Sequence, residues 1–132
     1  MHKTYSNPDT VAPPAARYSH AVRVELGDGA LIYVCGQLPI DAEGNLVGEG
    51  DIAGQTEQVF ENMSAVLEAN GASMRDVVQT NTYITDVSRI AEVNEVRARH
   101  FSEGAAPTST TVEVGGLARP EWMVEIEAVA AT

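Results

Sequence analysis

The sequence is poor in several things that would announce a function. It has a single cysteine, Cys35, which excludes an internal disulfide and suits a reducing compartment. Basic residues are few: 8 Lys plus Arg stand against 19 Asp plus Glu, a formal net charge of −11. A polyanionic partner would meet long-range repulsion, so neither nucleic acid nor an anionic membrane is expected as a partner. The longest apolar run, Ala30 to Cys35, is too short to cross a bilayer, and the N-terminal residues lack the apolar stretch of a secretion signal, so a cytoplasmic location is expected. Gly27-Asp28-Gly29 is not followed at once by a helix, which makes it a hairpin turn rather than a phosphate loop. His2, His20 and His100 are far apart, with no Cys or carboxylate at ligand spacing, so no metal site is expected. No serine sits in a Gly-x-Ser-x-Gly elbow.

What is present reads as one folding unit over residues 1–132. Pro8, Pro13 and Pro14 make residues 7 to 17 an irregular arm. Two β-rich runs, 18 to 26 and 30 to 35, flank the Gly-Asp-Gly turn as a hairpin. From Ile52 to Asn70, Val59, Met63, Val66 and Leu67 recur at helical spacing, with Asp51 placed to cap the start and Gly71 to end it. Ser73 with Asp76 reads as a capped short turn, and Val77 to Thr85 as a strand with Val78, Thr80, Thr82 and Ile84 on one face. Ser88 reads as the cap of a second helix carrying Ile90, Val93, Arg97 and Phe101 in one stripe. Strands at 109 to 114 and 123 to 130 close the chain. The order β-β-α-β-α-β-β predicts an α+β fold, a mixed sheet with two helices on one face. Several strands carry bulky residues on both faces, so the uncovered face is either buried against another subunit or left wet in a monomer.

In the last strand, Val124, Ile126 and Ala128 share one face, while Glu125 and Glu127 share the other with Val129. In the preceding strand, Ser109, Thr111 and Glu113 lie opposite Val112 and Val114. Hydroxyls and carboxylates converging on a polar pocket is one reading of this pattern; solvated strand residues is the other.

Six segments, in order, resemble the Rid (reactive intermediate deaminase) family: Tyr18-Ser19-His20-Ala21, Val34-Cys35-Gly36-Gln37-Leu38-Pro39, Gln55-Thr56 followed by Glu61-Asn62, Val66 to Ser73, Val93-Asn94-Glu95-Val96, and Val124-Glu125-Ile126-Glu127-Ala128-Val129-Ala130. The resemblance spans about residues 18 to 130. It implies a chorismate-mutase-like homotrimer with small-molecule pockets between subunits, and cofactor-free hydrolysis of enamines or imines to keto acids and ammonia. By match of motif, Glu125 would orient the attacking water, Tyr18 would line the pocket, Cys35 and Gly36 would form its floor, and Asn94 would contribute from the second helix.

The sequence departs from the family at one telling position. Deaminases of the family carry an Arg in a Pro-Ala-Arg-Ser or Pro-Ala-Arg-Thr segment, where it grips the substrate carboxylate; here the segment is Pro107-Thr108-Ser109-Thr110, with Ser109 in its place. Losing that contact costs carboxylate binding about 2 to 4 kcal/mol unless another cation substitutes. Arg17, Arg97 and Arg119 are nearest by segment, and surface placement is expected for all three. Thr108, Ser109, Thr110 and Thr111 offer hydroxyls that suit a neutral ligand, so an altered substrate class is expected. Cys35, without a cationic neighbour, is expected to be a small buried residue rather than a nucleophile, and His20 a secondary pocket residue. The leading reading is a hydrolase of C–N bonds. The alternative is a non-catalytic module that binds or senses a small molecule in the same pocket.

Overall fold

The computed structural model describes residues 1–132. Eight elements follow one another: β1 (Lys3–Ser6), β2 (Ala21–Leu26), β3 (Gly29–Gln37), α1 (Ile52–Ala69), β4 (Val77–Ile84), α2 (Ile90–His100), β5 (Thr108–Glu113) and β6 (Val124–Ala131). The strands form one sheet in the order β1-β2-β3-β6-β4-β5, antiparallel except for the parallel pair β4 and β5. This is the predicted mixed sheet with two helices, extended by β1 at its edge.

α1 forms where its sequence pattern placed it. The Asp51 carboxylate accepts the Gly54 amide at 3.1 Å, which satisfies one of the free donors of the first turn. Ile52, Val59, Phe60, Met63, Val66 and Leu67 are fully buried against β3 and β6, while Glu61 and Glu68 face water. Gly71 ends the helix in the left-handed region at φ 75°. The β2–β3 turn is two residues long, opened by Gly27 at φ 61°.

Several expectations are corrected. A strand that no pattern in the sequence marks, β1, precedes the irregular arm, and β2 begins at Ala21 rather than Tyr18. Ser88 is not the cap of α2: Asp86 accepts the Ser88 amide at 3.0 Å and its hydroxyl at 2.6 Å, and a single 3₁₀ turn, Val87–Arg89, leads into the helix. The pairing of β4 with β6 shifts between Val77 and Gln79, so Val77 joins Thr80, Thr82 and Ile84 in the core and Val78 is left 47% exposed.

Register then assigns every strand residue to a face. Thr80, Thr82 and Ile84 are fully buried beneath the helices, and in the parallel pair they stand beside Ser109, Thr111 and Glu113. Those three residues therefore share the helix side. Glu125 and Glu127 point to the other, open side, beside Tyr83 and Asn81. The open face carries an apolar row, Tyr5, Val22, Tyr33 and Val129, which continues through Gln79 to Thr108. Thr110 and Val112 share this face.

Candidate functional site

One concave surface is built where β3 and β6 lose register between Val34 and Gln37. Gly36 lies directly against Glu125, and a Cβ on Gly36 would overlap the carboxylate. Glycine here admits the carboxylate to close approach, and a larger residue would displace the Glu125 side chain. Tyr18, Cys35, Gly36, Leu38, Trp122 and Glu125 line a cleft of about 380 Å³ at this point. A neighbouring cavity of about 230 Å³ shares Tyr18, Gly36 and Trp122 and adds His20, Gln37, Asn62 and Arg119.

The two carboxylates on β6 differ in what holds them. Glu127 accepts the Tyr83 hydroxyl at 2.8 Å and the Asn81 amide at 3.1 Å, and the hydrogen bond to Glu127 pushes the Tyr83 phenol above its ordinary range. Glu125 is half-buried without a protein donor, and burial, then the charge of Glu127, raises its carboxyl above the usual range. It is an acceptor with its lone pairs free. The Cys35 thiol is pushed up to about 11, first by burial and then by Glu125, so at neutral pH it is not a thiolate nucleophile. His20 is buried and bonds the Ala12 carbonyl at 2.7 Å through Nε2, with Nδ1 3.4 Å from Gln37 Nε2 and 3.7 Å from Cys35 Sγ. It ties the N-terminal arm to the sheet at the cavity wall.

A second concave surface lies on the helix side. Asn94, Arg97, Phe101, Glu103 and Pro107 line a cleft of about 480 Å³. The Arg97 guanidinium donates from Nη1 to Thr80 Oγ1 at 2.9 Å and from Nη2 to Thr82 Oγ1 at 2.8 Å, and lies 5.7 Å from the Phe60 ring centroid. Its expected surface placement is thus corrected: it is partly buried, and burial lowers its pKa. Arg17 and Arg119 are exposed, the latter 5.7 Å above the Trp122 ring.

The structure thus brings together Tyr18, Cys35, Gly36 and Glu125, with His20 beside them. It does not bring Asn94, Ser109 or Thr111 to that cleft; within one chain they lie on the far side of the sheet. Within one chain the Ser109–Thr111 hydroxyl row does not meet the β6 carboxylates, because that row shares the helix side of the sheet. Thr108 and Thr110 share the open face with Glu127, two strands away. Trp122, the chain's one tryptophan, stands two residues before β6 and no sequence pattern marks it as a wall of the cleft; its indole N–H is buried without a partner.

The sequence model of a family described as Endoribonuclease L-PSP matches residues 9–132. A RutC family protein of Pyrococcus abyssi is 41% identical over 117 residues, covering 89% of this chain and 87% of that protein. The protein HMF1 of Saccharomyces cerevisiae is 40% identical over 117 residues, with 89% and 85% covered. Among solved structures, YyfA of the conserved Rid protein family from Yersinia pestis superposes with a TM-score of 0.89 at 32% identity, over 99% of this chain and 100% of that one. RidA from an Antarctic Psychrobacter gives 0.86 at 35% identity, over 98% and 99%.

Proposed function

The chain belongs to the Rid family, the one matched as Endoribonuclease L-PSP, and on that premise we propose that it hydrolyses the C–N bond of a small enamine or imine in a pocket shared between subunits of a homotrimer. The observation that carries this reading is Glu125: a half-buried carboxylate, free of protein donors and set over Gly36 in a cleft that Tyr18 and Trp122 wall. An imine carbon is already electrophilic, so the protein need only position a water and handle its protons. As the water oxygen bonds to the carbon of the protonated imine, Glu125 takes one proton from the water and a carbinolamine forms. Glu125 returns that proton to the carbinolamine nitrogen, and as the C–N bond breaks and ammonia leaves, the remaining hydroxyl proton passes to Glu125. The products are a carbonyl compound and ammonia. The raised pKa brings Glu125 nearer to neutrality, which suits a group that both accepts and returns a proton.

The division of the chain into two clefts supports a shared pocket. The Glu125 cleft lacks the Asn94 and Arg97 donors, which line the other side of the sheet. An oligomer that covers the apolar row of the open face can set one subunit's Glu125 against its neighbour's α2. Cleavage of RNA, the activity in the family model's description, fits poorly with a net charge of −11, because phosphate contacts dominate affinity for RNA. The second reading, a binding or sensing module, draws on Ser109, which by the motif resemblance stands where an active deaminase would carry a carboxylate-gripping arginine.

The test is release of keto acid from imines generated in place by an amino-acid oxidase. Glu125→Gln is expected to lower turnover at least about 100-fold. Full turnover in Glu125→Gln would remove Glu125 from the mechanism; a parent protein that binds small acids without turning over any imine would leave the binding module.

A further inference from the structure

The chain has seven arginines, and Arg23, Arg89 and Arg99 each pair with a glutamate. Of those that pair with no carboxylate, Arg17, Arg75 and Arg119 are exposed, whereas Arg97 is partly buried. In a chain with 19 acidic residues, a partly buried guanidinium that meets two neutral hydroxyls and the Phe60 ring but no carboxylate is unusual. Charges removed from water are ordinarily matched by an opposite charge. Glu103 lines the same cleft but makes no ion pair with Arg97. The two threonine contacts use two of the five guanidinium N–H groups, one on each terminal nitrogen, and leave three donors, Nε–H among them, that no protein group accepts from.

The position adds to this. Thr80 and Thr82, which hold Arg97, are the register partners of Ser109 and Thr111 on the adjoining strand. Asn94 precedes Arg97 by one helical turn, on the same face of α2, and lines the same cleft. We infer that Arg97 is the residue that grips the ligand's carboxylate, with Asn94 beside it, so that the cation comes from α2 and the small Ser109 leaves the guanidinium room against β4. This inference rests on the shared pocket proposed above. It makes the preferred substrate a small carboxylate-bearing imine or enamine rather than a neutral one. Arg119 is the weaker candidate: it is exposed above Trp122, where solvent screens its charge.

The experiment compares binding of 2-oxobutanoate with that of its uncharged methyl ester, in the parent protein and in Arg97→Gln, which keeps donors for the threonines but not the charge. The acid is expected to bind about thirty-fold more weakly to the variant, with the ester changed less than about threefold. In the oxidase-coupled assay KM should rise for imino acids while kcat is largely kept. Equal losses for acid and ester, or no loss for either, would overturn the assignment. Should Arg97→Gln fail to fold by thermal unfolding, Arg97→Lys serves: about tenfold weaker binding of the acid alone supports the carboxylate contact, and parallel changes for both probes refute it. The outcomes also separate the two readings. A parent protein that hydrolyses imino acids with a KM indifferent to Arg97 keeps the reaction and loses the subsite. One that hydrolyses no imine yet binds the acid through Arg97 loses the reaction and keeps the subsite.

Discussion

At the scale of single residues, Gly36 and Glu125 constrain each other. The absent Cβ of one makes room for the carboxylate of the other, and the same closeness of backbone removes water from it. The electrostatic result can be checked as stability against pH. Glu125 holds its proton more tightly in the folded chain than in the unfolded one, because burial and then Glu127 oppose its ionisation. Its contribution is therefore complete below the ordinary carboxylate range and is lost as pH rises through the raised folded value. Glu125→Gln removes that titration, so the variant is expected to melt above the parent at pH 7, with the gap narrowing as the pH is lowered through the carboxylate range. Thermal unfolding at a series of pH values would reveal a constant gap if the carboxyl were not perturbed.

At the scale of elements, α1 was legible because three independent signals coincide: an apolar stripe from Ile52 to Leu67, a cap at Asp51 and a stop at Gly71. Asp51→Ala should lower stability by about 1 kcal/mol, read from denaturant unfolding, since it leaves the Gly54 amide without its acceptor. β6 was equally legible, its alternation reproduced residue by residue in the burial of Val124 to Ala131. β1 was not, since Lys3 to Ser6 is short and without apolar alternation and gains its structure only by pairing with β2. Alternation shows which residues of a strand share a face, but not which face meets the helices. β5 is an edge strand rich in threonine, with no buried row to orient it, and so Ser109 and Thr111 were assigned to the wrong company. Val78 was misplaced for a different reason: a bulge changes parity at one residue, and no pattern of period two anticipates it. Of the site, the motif residues around Gly36 and Glu125 were legible. The hold of Arg97 on Thr80 and Thr82 was not, because a contact between a helix and a strand depends on their packing.

At the scale of the whole molecule, the sheet has one face covered by helices and one open, and the open one is apolar along Tyr5, Val22, Tyr33 and Val129. Tyr33, 49% exposed in the single chain, lies mid-row. If the proposed trimer and imine hydrolysis hold, Tyr33→Asp is expected to shift the light-scattering mass from trimer to monomer and to abolish that hydrolysis by parting the two clefts; a trimer that survives the charge would place the interface elsewhere. The net charge of −11 must be tolerated three times over in such an assembly, so its stability should grow with ionic strength. Finally, the only indole in the chain stands at the wall of the Glu125 cleft, 7% exposed, under a guanidinium and with its N–H unbonded. Emission excited at the red edge of protein absorption therefore comes from one place, and any molecule that enters the cleft or reorders Arg119 alters the light of the entire protein, which makes occupancy visible without a label.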